Sequence, residues 1–169
     1  MSKFLVLAVV AGLQATIFIG ISLAGRPLPT EDLSDLGAPL SLLITVVLLS
    51  LLAVAVGLFM SSLADSSEVT MPFLVVSTMA QVVFSGAVPL VSMAILDVAK
   101  WLNPSYWAMA SLGSLTDLNA ISGLTKDKEL SDWAFEIESF HSGLIGTSVF
   151  LFLFLAGSLA VLRAREKKS

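Results

Sequence analysis

The sequence predicts an all-α integral membrane protein with about four transmembrane helices, a re-entrant or interfacial helix and a small extracellular cap. Of the 169 residues, 56% are hydrophobic and only 13% are charged, and the mean hydropathy is +0.93. Soluble domains carry about 25% charged residues. Four stretches also lack any charged side chain, and each is long enough to cross about 30 Å of hydrocarbon at about 1.5 Å per residue.

The four predicted spans are connected by polar segments. They comprise residues 4–24, 40–63, 69–95 and 143–162, with a polar outer region at 97–142 and a tail at 163–169. An even number of spans places both termini on one side of the membrane. The tail carries Arg163, Arg165, Lys167 and Lys168, so by the positive-inside tendency that side is cytoplasmic, and we expect a multi-pass protein of the plasma membrane.

The first span has a competing interpretation as a secretory signal. Lys3 precedes it, and Ser22 and Ala24 resemble the small residues of a cleavage site. However, the apolar run is longer than the usual signal core of about 7 to 15 residues, and Gln14 lies in its middle. An uncleaved span is therefore favoured. Along it Ala8, Gly12, Thr16 and Gly20 repeat every fourth residue, a spacing typical of close helix packing in a bundle.

The third span contains residues that interrupt a helix. Ser85 and Gly86 are followed by Pro89, which cannot donate to the carbonyl of Ser85 and whose ring clashes there. A helix that begins at Ser67 has risen by roughly 27 Å at this point, so the predicted break lies at the depth of the outer leaflet. Freed backbone groups at that depth are tolerated only inside protein or beside a water-filled cavity, which indicates a pathway. A proline kink satisfied by Ser85 or a neighbouring helix is the alternative.

The outer region begins with an apolar segment that is too short to cross. Trp101, Tyr106 and Trp107 are rings of the kind found at the headgroup level, and residues 106–115 are predicted to form a re-entrant or interfacial helix. The polar, acidic segment beyond it carries enough Trp and Phe to fold as a small cap. His141 has no companion histidine, so we expect no metal site.

Several segments, in order, carry a family resemblance. They are "GLFMSSLADSSEVTMPFLVV", then "FSG" at the end of a span, then "WLNPSYWAMASL" as an external helix, and a last span with a basic tail. Together they resemble the C-terminal part of the membrane domain of G-subfamily-like ABC exporters, more narrowly actinobacterial members fused to forkhead-associated and ATP-binding domains. The resemblance implies a six-span domain that works as a homodimer, of which this chain supplies the last four spans.

The resemblance also assigns roles to individual residues. It implies that the third span lines the substrate cavity through Val75, Thr78, Met79 and Val82, and that Ala87 and Val88 stand where the family has a bulkier apolar plug. Gln81 is the strongly polar side chain near the break, and a buried amide usually has a partner or a function. The mainly apolar lining implies a lipid-like or amphipathic cargo.

The sequence also contains no Gly-x-x-x-x-Gly-Lys-Ser/Thr phosphate loop. We therefore expect ATP and Mg²⁺ to bind a partner domain, in cis or in trans, that is absent from this chain together with the first two family helices. The chain is then a fragment of a longer protein or a split subunit, and we expect it to lack enzymatic activity by itself.

Three functional classes remain open. The first is the membrane part of an ATP-driven exporter, and the second is a non-transporting multi-span scaffold or assembly protein, which would not need the helix break. The third, an intramembrane enzyme, is weakest because no predicted span contains Asp, Glu, His, Lys or Arg to act as acid, base or metal ligand. Nucleic acid is not expected as a partner, since no basic stripe lies outside the C-terminal tail.

Overall fold

The computed structural model of the chain describes residues 2–24, 37–63, 67–86, 98, 100–118 and 133–167. Within these ranges the chain forms five helices of more than one turn, which are α1 (Ser2–Leu23), α2 (Ala38–Leu63), α3 (Ser67–Val83), α4 (Pro104–Leu115) and α5 (Ile137–Glu166). All regular secondary structure in this described part is helical, which confirms the predicted all-α class.

Three of these helices have the length and composition needed to cross a membrane. They are α1 over Phe4–Leu23, α2 and α5, and the mean hydropathy over an 18-residue stretch of each is 2.4, 2.9 and 2.3. The third predicted span corresponds to α3, which has 17 residues and whose apolar part is Thr70–Val83. The remainder of that predicted span, from residue 87 to 95, lies outside the described residues. The chain is therefore a membrane-type protein.

Helix α2 lies at the centre of the bundle and packs against the other four helices. Leu52, Ala55, Val56 and Met60 of α2 form a buried cluster with Leu151 of α5. Phe59 and Phe154 extend this contact, with ring centroids 5.4 Å apart. Apolar side chains cover most of the surface of α2. A helix that is hydrophobic all round is expected to be surrounded by other helices, and α2 has four neighbours.

Helices α4 and α5 approach each other most closely where α5 carries glycine. A Cβ atom on Gly143 would lie 2.7 Å from the amide nitrogen of Ser111 and 2.8 Å from the carbonyl oxygen of Trp107. A Cβ atom on Gly146 would overlap the ring of Trp107. The hydroxyl of Ser111 also donates to the carbonyl of Phe140 at 3.4 Å. The two helices therefore touch backbone to backbone, which small residues make possible.

The small-residue face of α1 has no closely packed neighbour at Gly12 or Gly20 among the described residues. In the ranges that the structure describes, no atom of another element lies within 4 Å of the position that a Cβ would take on Gly12 or Gly20. Thr16 is exposed, and its hydroxyl donates back to the carbonyl of Gly12 at 2.8 Å. Ala8 and Gly12 are half-buried beside buried Ala15, so this face borders the contact with α2, and its close packing against another helix stays a prediction.

The outer region contains two departures from expectation. Tyr106 was expected at the headgroup level, but it is only 2% exposed and belongs to the protein core. Trp101 is exposed, as expected of an interfacial ring. Helix α5 begins at Ile137 instead of Gly143, because the helix continues past the apolar stretch and carries Glu138 in its first turn. A negative side chain is favourable at that end of a helix. Residues 119–132 of the predicted cap lie outside the described residues.

Candidate functional site

The candidate site is the C-terminal end of α3, where the regular backbone hydrogen bonding of this helix stops. The last carbonyls of a helix have no partner within it, and inside a membrane each must be satisfied by protein. Phe84 donates to the carbonyl of Ala80 at 2.9 Å, so the helical pattern still holds there. Ser85 then donates to the carbonyl of Val82 from its amide at 3.4 Å and from its hydroxyl at 2.8 Å. The last turn thus tightens before the chain leaves the helix.

Gly86 follows with a φ of 88°, in the left-handed region that glycine adopts without steric cost. Ser85 and Gly86 are both buried. The helix therefore ends where the sequence places its predicted interruption, with a glycine of positive φ after the last turn. Pro89 and the predicted plug residues Ala87 and Val88 lie outside the described residues, so their roles stay predictions.

Asn103 connects the end of α3 to the start of α4. Its Nδ2 donates to the backbone carbonyl of Gln81 at 3.1 Å, and its Oδ1 accepts from the amide of Ser105 at 3.2 Å. The second bond makes Asn103 the N-cap of α4, with Pro104 in the first turn where a missing amide is tolerated. One buried side chain thus serves the two helix ends together.

Gln81 takes part in the same network through its side chain. Its Oε1 accepts from the hydroxyl of Ser105 at 3.0 Å, and its Nε2 donates to the hydroxyl of Ser77 at 3.4 Å. The first contact is a well-formed hydrogen bond and the second is at the long limit. The amide that the sequence singles out therefore holds α4 against α3.

Helix α3 presents two different faces. Ser77, Gln81 and Phe84 recur at three- and four-residue intervals and share the face toward a cavity of about 630 Å³ that Val56, Met60 and Phe154 line from the other side. Val75, Met79 and Val82 recur in the same way on the opposite face and are exposed, with 64% of Met79 accessible.

The five predicted pathway residues are therefore not brought together in one place. Val75, Thr78 and Met79 lie on the exposed face, and Thr78 donates its hydroxyl to the carbonyl of Leu74 at 2.8 Å, which leaves an apolar surface. Val82 lies at the border, since it also lines a smaller cavity of about 180 Å³ next to Ser85 and Met109. Gln81 points into the bundle. The assignment of these residues to a substrate pathway stays a prediction.

Sequence reasoning missed Asn103 and Ser105 as site residues. A signal was available, since Asn followed by Pro and Ser before an apolar run is a typical start of a helix. The sequence does not indicate that the cap residue also bonds to α3, because that contact joins residues 22 positions apart. Within the described ranges, no group of three His, Cys, Asp or Glu side chains is placed to hold a metal ion.

The chain is a polytopic α-helical membrane protein, because three of its helices are long and apolar enough to cross a membrane. Hydrogen bonds of Asn103, Gln81 and Ser105 join the end of α3 to α4. Comparison with known families identifies its kind. Residues 1–115 match the ABC-2 type transporter family. Over 119 residues, 69% of its length, the chain is 35% identical to the ABC transporter ATP-binding/permease protein Rv1747 of Mycobacterium tuberculosis. The chain therefore belongs to the ABC-2 type transporter family and is part of a membrane domain of that family.

The match covers only 14% of the length of that mycobacterial relative. No solved structure matches the chain.

Proposed function

We propose that this chain is the membrane-spanning part of an ATP-driven exporter and forms half of a substrate pathway for a lipid-like or amphipathic cargo. Membership of the ABC-2 type transporter family supports a transport role, and the relative's name joins ATP binding and permease functions in one protein. The sequence has no phosphate loop, so ATP and Mg²⁺ bind a separate nucleotide-binding domain, in cis or in trans.

The observation that carries this proposal is the exposed apolar face of α3. Val75, Met79 and Val82 are large side chains left uncovered by the described chain, on a helix that ends at Val83 and is tied to α4. Lipid ordinarily covers an exposed apolar face of this kind, as on α5 at Phe152; the face of α3 differs because it lies on a helix that ends early and is bonded to α4. An uncovered apolar wall beside a helix end suits a lipid-like or amphipathic cargo, because it offers hydrocarbon contacts along the helix.

The exposed face of α3 also suits a protein partner, which is a second copy of the same domain. Two copies of the domain that turn their α3 helices toward each other would enclose a path between them, each copy supplying one wall. A homodimer is the common symmetric solution for such a surface, since the same patch serves on both copies.

The orientation follows from charge. Arg163, Arg165 and Lys167 are exposed at the end of α5, and basic residues next to a span favour the cytoplasmic side of the plasma membrane. Both termini of this chain then lie in the cytoplasm, where ATP is available to the nucleotide-binding domain.

The test is ATP-dependent movement of a fluorescent-headgroup phospholipid across vesicles that contain the chain assembled with its nucleotide-binding part. Met79→Trp should lower the rate severalfold because it narrows the path. Phe152→Trp is the matched control, since Phe152 is similarly exposed, at 68%, but lies on α5. Its rate should stay near that of the parent.

Absence of ATP-dependent movement in the parent assembly, with normal ATP hydrolysis, would contradict the export function and favour the scaffold alternative. Equal effects of the two substitutions would place the path elsewhere than along α3.

A further inference from the structure

The cavity behind α3 is a separate feature from the exposed face of that helix. It has a volume of about 630 Å³ and separates α3 from α5. Ala80 and Phe84 line it on the α3 side, Val56 and Met60 on the α2 side, and Phe154 on the α5 side. Asn103 and Pro104, at the start of α4, also line it. The lining is therefore mostly hydrocarbon, and the volume is in the range of sites for small molecules.

The polar groups in the wall are already bonded to one another. The side-chain oxygen of Gln81 accepts from Ser105, its side-chain nitrogen donates to Ser77, and its backbone carbonyl accepts from Asn103. A buried water normally needs two to four polar partners, and cavities with apolar walls stay dry. These contacts favour a hydrocarbon occupant over a water cluster or a polar ligand.

The surroundings determine which hydrocarbon is available. Helices α2 and α5 on two sides of the cavity are both candidate membrane spans. Leu102, on the cavity wall, is 79% exposed, and Val98 beside it is exposed as well, so the wall continues into an apolar surface. Side chains that face this partly open cavity lack the dispersion partners that a packed interior would give them. In the membrane, the acyl chains of the bilayer are the abundant groups that can restore those contacts.

We propose that this cavity is a lipid site in which one acyl chain of a bilayer phospholipid lies between α3 and α5 behind the helix end. The bound chain supplies packing that protein side chains do not supply there. The site lies on the opposite face of α3 from Val75 and Met79, and it requires membrane insertion only. It is therefore independent of the proposed export and of any nucleotide.

The expected preference is moderate. The surrounding bilayer is as apolar as the cavity, so binding gains no hydrophobic free energy and depends on dispersion contacts and fit. A bound chain should exchange with bulk lipid but occupy the cavity more often than it contacts the outer surface of the protein.

Photocrosslinking tests the site directly. The full chain is reconstituted in vesicles of phosphatidylcholine and phosphatidylglycerol that contain a trace of phosphatidylcholine with a diazirine at the middle of one acyl chain. After illumination, mass spectrometry measures labelling at Met60 and Phe84, which line the cavity, and at Met71 and Val75, which are exposed on the opposite face of α3. Labelling in the cavity should exceed surface labelling by about fivefold, equivalent to a preference of about 1 kcal/mol.

A filled-cavity variant provides the control. Ala80→Trp places an indole at the cavity wall and should remove the excess labelling at Met60 and Phe84. Val75→Trp adds a similar volume on the exposed face and should leave it unchanged. The circular dichroism spectra of both variants report whether the helices are intact. A misfolded Ala80→Trp chain would leave the parent labelling pattern as the deciding result.

Three results would overturn the proposal. Labelling that follows exposure alone would mean that lipid only surrounds the protein. Oxidation of Met60 by hydroxyl radicals generated in water, at the rate of an exposed methionine, would mean that the cavity is hydrated. Crosslinks from a photoreactive residue at position 84 to a second copy of the chain would mean that protein fills the space.

Discussion

Asn103 donates from Nδ2 to the backbone carbonyl of Gln81 at 3.1 Å and thereby joins the start of α4 to the last turn of α3. The same side chain caps α4 through its Oδ1 atom. Because the carbonyl lies in the final turn, a partner from outside the helix takes the place of the next helical amide. The short outer helix is thus part of how α3 ends.

Asn103→Ala should destabilise the chain, because it removes the cap and leaves the carbonyl of Gln81 without this donor. We expect a loss of about 1–3 kcal/mol in the free energy of unfolding, measured by titrating mixed micelles with dodecyl sulfate. Asn103→Asp is the matched variant, since it keeps an oxygen for the cap but has no amide donor. A loss in Asn103→Asp near that of Asn103→Ala would assign the effect to the Gln81 contact. No loss in either variant would contradict the role given to this residue.

Gly143→Ala should destabilise the chain by about 1–3 kcal/mol, as overpacking of a close contact does. The added Cβ would meet the backbone of Ser111 and Trp107, which cannot rotate away. Gly57→Ala is the control, because nothing lies within 4 Å of its Cβ position and alanine gains up to about 1 kcal/mol of helix propensity. Thermal unfolding in detergent distinguishes the two. If both substitutions shifted the midpoint equally, the close approach of α4 and α5 would be in doubt.

The double substitution of Gly86→Leu and Pro89→Leu should reduce export while membrane insertion and abundance stay near normal. Leucine at both positions raises helix propensity by about 1 kcal/mol relative to glycine and about 3 kcal/mol relative to proline, so α3 should continue past its present end. Transport of the fluorescent phospholipid in the complete assembly is the measurement. Gly86→Asn is the milder comparison, since asparagine tolerates the positive φ of this position better than leucine does. Export unaffected by the double substitution would mean that the helix end is only a packing detail.

Cysteine labelling should separate the two sides of the membrane. Thr116→Cys, at the exposed end of α4, should react with a membrane-impermeant thiol reagent added to intact cells. Lys167→Cys, after the last helix, should react only once the cells are permeabilised, because the basic tail favours the cytoplasm. The native chain has no cysteine, so each label reports one position. The reverse pattern would invert the proposed orientation and the side on which ATP acts.

The long helices could be predicted from sequence because the signal is local. A charge-free run of sufficient length forms a span whichever neighbours it has, so α1, α2 and α5 are expected from composition alone. The end of α3 was also indicated locally, since Gly86 has the freedom that its positive φ requires. The start of α5 at Ile137 was not, because this helix continues six residues before the apolar run that identifies it.

The contacts between helices could not be predicted in the same way. The four-residue spacing of Gly12, Thr16 and Gly20 indicates a smooth face but not which helix, if any, meets it, and in the described chain nothing contacts it closely. Gly143 and Gly146 are three residues apart and are the positions where a neighbouring backbone and ring actually lie. Spacing defines the shape of a surface, whereas the choice of partner depends on the whole bundle. For the same reason Gln81 could be singled out as polar while its bonds to Ser105 and Asn103 could not.

Helix α4 is fastened at its start to α3 through Asn103 and along its side to α5 through Ser111. Helix α4 therefore connects α3 and α5, which both line the cavity. Helix α5 has 30 residues and is about 45 Å long, so a tilt of about 5° about its C-terminal end would move its start by about 4 Å. Helix α4 would carry that displacement to the last turn of α3 through Asn103. A small tilt of α5 about its end near the basic tail would thus shift the last turn of α3 sideways.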